Sequence, residues 1–309
     1  MAGETVLVSG VAGFIGAHMA RRLQREGCRV IGVDDLSGAE GANLPAHIEF
    51  IQADLASAAG LAALPRGCRV ILHLAGQSSG EISFDDPVAD LHKNTVSTLN
   101  LIRYGIDNGC ERFVYASSMS VYGNVADEPV TEAQPCAPLS CYGVGKLAAE
   151  HYLRVYGAQL PAVSLRMFNV YGPGQNMANL RQGMVSIYLA QALSGGKIEV
   201  KGSLARYRDF IYIDDVVEAW WRAATLPAAV GRSINVGTGV RTSVQALLDS
   251  ICERVAGASY YVRGSTPGDQ SGIYADTRCL REVLGLRQFT PLAEGLAKFL
   301  EWARRDAPA

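Results

Sequence analysis

The chain has 309 residues, and its 28 Lys plus Arg against 30 Asp plus Glu leave a formal charge of −2. That balance excludes a binder held by bulk attraction to nucleic-acid phosphates, while leaving room for a local basic pocket. Hydrophobic residues at 49% and charged residues at 19% exclude a disordered chain and suit one large domain or two smaller ones.

No apolar run approaches the roughly 20 residues a membrane helix needs, so no membrane partner is expected. Residues 1–10 lack a basic stretch followed by a long apolar one, so no secretory leader is expected either. The seven cysteines are odd in number, and no pair has CxxC spacing. A disulfide framework and a metal site are therefore not expected, and a reducing cytoplasm is the expected setting. Cys136 and Cys141 flank a loop and are expected to stay unpaired.

Up to about residue 170, two patterns alternate. Short β-branched runs at 5–9, 29–33, 70–74, 112–116 and 162–168 predict strands, with helical spacing between some of them. A Gly-Cys step precedes three of these runs, at Gly27-Cys28, Gly67-Cys68 and Gly109-Cys110. Its recurrence after 40 and 42 residues matches the size of a βα unit. At the first and third, the glycine follows a helical pattern and can close it in a left-handed cap. The cysteine then packs as a small apolar residue. Alternating β and α elements imply an α/β fold of Rossmann type, a doubly wound parallel sheet with helices on both faces.

After Pro173 the rhythm changes. Residues 185–193 predict a helix, followed by a Gly-Gly turn and a strand at 198–201. Residues 209–213 and 233–236 predict strands that return to the main sheet, and 244–255 and 292–303 predict helices. Residues 263–272, with three Gly, one Pro and two Ser, read as a loop. The expected organisation is one domain over 1–172, rejoined by 209–237, and a smaller C-terminal α/β domain over most of 173–309. A ligand cleft is expected between them. Arg21, Arg22 and Arg25 read as a solvated helix face.

The predicted strand Thr5-Val6-Leu7-Val8-Ser9 runs directly into Gly10-Val11-Ala12-Gly13-Phe14-Ile15-Gly16, and a helix follows. Glycines at such a turn let the backbone approach a pyrophosphate, which the helix N-terminus then attracts. An acidic residue completes the pattern. Asp34 closes the next strand, 18 positions beyond Gly16. A carboxylate there can accept ribose hydroxyls and repels a 2′-phosphate, which favours NAD over NADP. Asp54, at the end of another short run, suits either an adenine contact or a plain turn.

Tyr142 and Lys146 in Tyr142-Gly143-Val144-Gly145-Lys146 are four apart in a helical stretch and share one face. A phenol is a poor base at neutral pH, but a neighbouring ammonium favours the phenolate. The pair can then take a proton from a sugar hydroxyl. Ser118, at the C-terminal end of a predicted strand, stands where open α/β sheets place ligands and can hydrogen-bond the reacting oxygen.

With these motifs in place, the chain resembles the extended short-chain dehydrogenases of the nucleotide-sugar epimerase and dehydratase group. The resemblance covers most of the chain. It also rests on His73-Leu74-Ala75-Gly76, Asn94, Ser118-Met119-Ser120-Val121-Tyr122-Gly123, Leu165 through Gln175, Arg208 through Asp215 and Pro267-Gly268-Asp269. It implies that residues 1–172 bind NAD and that 173–309 mainly bind a nucleotide sugar. Gly10, Gly13, Phe14, Ile15 and Gly16 would form the phosphate turn. Asp34, Asp35, Leu36, Ser37, Asp54 and Leu55 would hold the adenosine half. Leu74, Ala75, Gly76, Gln77 and Asn94 would line the ribose and pyrophosphate, with Phe168 near the nicotinamide. Tyr142 would be the base and acid, tuned by Lys146 and assisted by Ser118. Ser118, Tyr142, Asn169, Asn179, Leu180, Arg208 and Asp269 would meet the substrate, most often a uridine diphosphate sugar in this family. A homodimer through the helix after Asn94 and the helix of Tyr142 is also implied; Leu147, His151 and Tyr152 fit it only loosely.

The departures narrow the chemistry. Sugar 4,6-dehydratases carry an acidic pair where Met119 and Ser120 stand, and uronic-acid decarboxylases carry Glu at the Ser120 position. Neither residue here can protonate a leaving hydroxide or remove a C5 proton. A diphosphate-binding arginine is replaced by Thr266, so either Arg263 or Arg181 supplies that charge or the diphosphate is held differently. The reading is an NAD-dependent nucleoside-diphosphate-sugar 4-epimerase working through a transient 4-keto sugar. The alternative is a 4-keto-sugar reductase that consumes NADH.

Overall fold

The structure, a computed structural model, describes residues 1–38, 43–264 and 272–306. The first half alternates strands and helices in chain order: β1 (Thr5–Ser9), α1 (Phe14–Arg25), β2 (Arg29–Asp34), β3 (Glu49–Gln52), α2 (Ala58–Ala62) and β4 (Val70–His73). Then come α3 (Pro87–Leu91), a π-helical turn at His92–Val96, α4 (Ser97–Asp107), β5 (Arg112–Ser118), α5 (Cys141–Val155) and β6 (Ala162–Met167). The rest holds β7 (Asn169–Tyr171), α6 (Met184–Gly195), β8 (Lys197–Val200), β9 (Tyr207–Arg208), β10 (Phe210–Tyr212), α7 (Ile213–Thr225) and β11 (Ser233–Val236). It closes with β12 (Thr242–Ser243), α8 (Val244–Arg254), β13 (Ser259–Val262), α9 (Arg278–Val283) and α10 (Leu292–Asp306).

Seven strands form the central sheet in the order β3-β2-β1-β4-β5-β6-β11, and every pairing is parallel. The order reverses between β1 and β4. A crevice opens there at the carboxyl ends of the strands, where doubly wound sheets hold ligands. Strand residues alternate between two cores because successive side chains point to opposite faces. Val6 and Val8 pack with Met19 and Leu23 of α1 and Trp220 of α7. Leu7, Ile71 and Phe113 pack with Leu101 and Ile102 of α4 and Leu153 of α5. Both faces are dry, which explains the near-continuous apolar strands of the sequence.

Gly27, Gly67 and Gly109 all take left-handed backbone, with φ of 76°, 86° and 64°. Cys28, Cys68 and Cys110 are buried free thiols and pack in the two cores as small apolar residues. The C-terminal half departs from the simplest expectation at one strand. Ser233–Val236 joins the main sheet beside β6, but Phe210–Tyr212 pairs in parallel with β7 in a separate ribbon. The sheet cannot take it, because the edge of β6 is already filled by β11. Residue 213, expected to end that strand, instead begins α7. Most of the loop expected at 263–272 lies outside the described residues.

Candidate active site

β1 delivers the chain into Gly10, whose φ is 71°. A Cβ at Gly10 would lie 2.6 Å from the Ala75 nitrogen, and one at Gly16 would lie 2.0 Å from the Gly10 carbonyl oxygen. Side chains at either position would push the turn off β4 or off α1. Gly13 caps α1 without a side chain, and no acidic residue stands in the first helical turn. The leading N–H groups of Phe14, Ile15 and Gly16 and the positive dipole end are thus left for an anion.

Asp34 ends β2 and accepts the N–H groups of Ala12 at 3.0 Å and Leu36 at 2.9 Å. It therefore ties the glycine turn to the next strand. Burial pushes its pKa up, and the two N–H groups oppose the rise. Leu36 holds φ of 62°, a left-handed conformation rare for a branched side chain. Asp35 accepts the Ser37 N–H and hydroxyl and pairs with Lys93. Burial alone would raise the Asp35 carboxyl, but Lys93 and Ser37 outweigh it and hold it below the usual range. Asp54 accepts the Ala56 N–H at 3.0 Å, the turn role left open above, and Leu55 is buried in the core.

His73, fully buried on β4, fastens the crossover from behind. Its ring bonds the Ser9 hydroxyl at 2.7 Å and the Thr98 hydroxyl at 2.9 Å. Ser9 Oγ accepts the N–H groups of Leu74 and Ala75. Burial lowers the His73 pKa to about 3, so the imidazole is neutral and serves as a fixture. Beyond it, Asn94 lies fully buried in the π-helical turn. Its Nδ2 donates to Asp90 at 3.0 Å, and its Oδ1 has no partner among the described residues. A Cβ at Gly76 would fall 2.5 Å from that oxygen and 3.4 Å from Lys146 Nζ. Gln77 Nε2 also donates to Asp90, at 2.9 Å.

α5 begins one residue before Tyr142, with the Ser140 hydroxyl capping the Gly143 N–H at 3.1 Å. Tyr142 and Lys146 are 8% and 3% exposed. Lys146 Nζ lies 5.5 Å from the Tyr142 ring centre and 5.1 Å from that of Tyr115. Burial raises the Tyr142 phenol to about 12, opposed by the Ser118 hydroxyl. Burial lowers Lys146 to about 8, opposed by the charge of Asp90. Ser118 ends β5, and its hydroxyl accepts the Ser120 N–H at 3.1 Å. Met119 and Ser120 open a short 3-10 turn, so no carboxylate enters the site at these positions.

On the C-terminal side, Asn169 Nδ2 donates to the Asp209 carbonyl at 3.2 Å and contacts Met119 Sδ at 3.5 Å. Arg208 is 4% exposed, donates to the Tyr207 carbonyl at 2.8 Å, and has its pKa lowered to about 10, chiefly by burial. Asp209 turns away from any ligand role. Its carboxylate accepts the N–H groups of Thr238, Gly239 and Ala275 and the Thr238 hydroxyl. Phe168 is buried with Tyr122 and Ile273. Asn179 Oδ1 caps the Arg181 N–H, and Leu180 is exposed. Neither stand-in arginine is uncommitted: Arg181 pairs with Glu81 and Asp85, and Arg263 pairs with Glu199. Thr266 and Asp269 lie outside the described residues.

Two polar residues of the site escaped the sequence reading, Asp90 and Lys93. Asp90 is four positions before Asn94, a same-face spacing that marks it in retrospect. The glycine cradle, the bare N-terminus of α1 and the buried Asn94 oxygen together fit a bound dinucleotide. Among the described residues, no group of three or more His, Cys, Asp or Glu is placed to hold a metal ion. Among the described residues, no helix is long and apolar enough to cross a membrane.

Comparisons with known proteins agree with this geometry. The chain is 38% identical to a UDP-glucose 4-epimerase of Mycolicibacterium smegmatis over 97% of its own length and 99% of that protein. Its fold superposes on the UDP-glucose 4-epimerase of Thermotoga maritima, solved with UDP-glucose, with a TM-score of 0.93. Identity there is 31%, covering 98% of this chain and 100% of that one. A Thermus thermophilus UDP-glucose 4-epimerase in complex with NAD gives 0.90 at 31% identity, covering 98% and 100%. Residues 6–237 match the profile of a single family. The chain belongs to the NAD dependent epimerase/dehydratase family.

Proposed function

We propose that the protein is an NAD-dependent nucleoside-diphosphate-sugar 4-epimerase whose substrate is a UDP-hexose. The observation that carries this reading is the buried Tyr142–Lys146 pair beside Ser118, with Met119 and Ser120 where elimination or decarboxylation would need an acid. UDP-glucose 4-epimerases among the relatives support the choice of nucleotide and sugar.

The glycine turn, Asp34 to Ser37, Leu74 to Gln77, Asn94, Lys146 and Phe168 would hold NAD. When bound, it supplies reversible hydride acceptance. Tyr142 takes the C4 hydroxyl proton, and Ser118 hydrogen-bonds the same oxygen. The Lys146 ammonium stabilises the phenolate that the burial of Tyr142 opposes. Tyr142 returns the proton once the 4-keto sugar has turned over. Asn169, Asn179, Leu180, Arg208 and Asp269 would hold the nucleoside diphosphate while the sugar moves. Arg208 suits that task, since a buried diphosphate requires charge-assisted donors. The division at residue 172 follows these two ligand classes.

A homodimer completes the proposal. Val88 and Leu91 of α3 and Val144, Tyr152 and Val155 of α5 are exposed, on two helices that pack together. Apolar groups grouped in this way suit a two-fold helical interface. Free thiols at all seven cysteines suit a reducing cytoplasm.

The test is incubation of purified protein with a panel of nucleotide sugars and no added cofactor, with products read by NMR. Interconversion of one C4 pair is the expected result. Turnover only with a 4-keto sugar and stoichiometric loss of NADH would make the protein a reductase instead.

A further inference from the structure

Lys146 and Tyr142 do not stand alone in the protein interior. Asp90 of α3 is 2% exposed and lies against the same helix. Its Oδ2 falls 3.7 Å from where a Cβ on Gly145 would be, and has no hydrogen-bond partner among the described residues. Its Oδ1 accepts both the Asn94 and the Gln77 amides. A buried ammonium and a buried carboxylate are each costly when isolated and tolerable when paired.

The groups facing Lys146 can be named from every side. β5 contributes Tyr115 and β4 contributes His73, which is neutral. α5 itself contributes Tyr142, and Glu150, which is engaged by Arg166 at 2.7 Å. Lys93, next to Asn94, is engaged by Asp35. α3 contributes Asp90, the one carboxylate among these not already matched to a cation. The Asn94 amide follows from it too. Because Asp90 draws Nδ2 inward, Oδ1 is left facing Gly76 and Lys146.

We propose that Asp90 is a positioning residue for the Tyr142–Lys146 pair, giving Lys146 its buried counter-charge and turning the Asn94 oxygen toward the dinucleotide. What the pair then does in turnover rests on the epimerase reading; the electrostatic pairing does not. Removing the carboxylate withdraws support from the ammonium, so Lys146 titrates lower. It also relieves repulsion of the phenolate, so Tyr142 titrates lower as well. Both changes move the working range toward acid, as titrations of a coupled set.

The test is Asp90→Asn, which keeps an oxygen acceptor for Asn94 and Gln77 while deleting the charge. The chain has five lysines, Lys93, Lys146, Lys197, Lys201 and Lys298, so the full-length protein with 13C-labelled lysine gives a simple NMR titration. The wild-type signal assigned to Lys146 is expected to titrate near 8, and the variant's about one pH unit lower or more. The alkaline limb of the kcat profile is expected to follow it. An unmoved Lys146 titration in folded Asp90→Asn overturns the proposal. If that variant does not fold, Lys146→Met serves instead. Loss of the ammonium must then raise the Asp90 titration in 13C-aspartate spectra, and an unmoved Asp90 overturns the proposal equally. Failure of the wild type to interconvert any C4 pair would strike the epimerase reading and leave the Lys146 titration standing.

Discussion

Tyr142 has two constraints that pull against one another. Burial keeps its phenol protonated, with a pKa near 12, while the proposed reaction asks it to give up that proton. The Ser118 hydroxyl opposes the rise, and in the proposed mechanism the Lys146 ammonium favours the phenolate further. Tyr142→Phe removes the proton acceptor and leaves the ring packing intact. It is expected to lower kcat by about 10²- to 10⁴-fold, with NAD affinity retained in a fluorescence titration. Wild-type turnover by this variant would refute the assignment. Gly10→Ala acts differently, since its Cβ meets the backbone at Ala75. NAD binding and Tm are both expected to fall. At this scale, the sequence was most readable where partners are close along the chain. The glycine turn, Asp34 and the Tyr142/Lys146 spacing are all short-range patterns. Lys93 was not readable, because its partner Asp35 lies 58 positions earlier. The ion pairs of Arg181 and Arg263 were unreadable for the same reason: their carboxylate partners lie far off in sequence.

Helix α5 carries both residues of the proposed catalytic pair and is anchored by the residue one turn further on. Glu150, four positions after Lys146, makes a bidentate pair with Arg166 of β6, with contacts of 2.7 and 2.9 Å. Ser117 of β5 donates to the same carboxylate. Arg166 also donates to the Tyr122 hydroxyl at 2.9 Å, which donates to Asn235 of β11 at 2.6 Å. The chain of bonds crosses three neighbouring strands. Glu150→Ala leaves a buried guanidinium unpaired and is expected to cost about 3–5 kcal/mol, measured by denaturant unfolding. A loss near zero would show that water replaces the carboxylate. Strand existence was legible because both sheet faces are buried and the runs are apolar. Strand partnership was less so: residues 210–212 look like any other strand, and only β11 filling the β6 edge sends them to β7. The π-helical turn that sets Asn94 facing Gly76 has no comparable mark in the sequence.

At the scale of the molecule, the C-terminal ribbons lie outside the seven-stranded sheet, and Asn169 of one of them reaches Met119 just beyond Ser118. The two halves share a continuous core, in which Val185 and Leu189 of α6 and Phe299 of α10 join the side chains behind β1. The apolar exposure on α3 and α5 leads to a prediction here. Sedimentation is expected to report a dimer, and Val144→Glu with Val155→Glu is expected to shift it toward monomer. A monomeric wild type would remove the interface. In the proposed reaction the C4 hydrogen leaves and returns within one site while Tyr142 handles the proton. The most direct measurement uses UDP-glucose deuterated at C4, with purified protein, no added cofactor and NMR of the product. UDP-galactose that keeps its deuterium at C4 is the expected product. Loss of the label to water during inversion would contradict it.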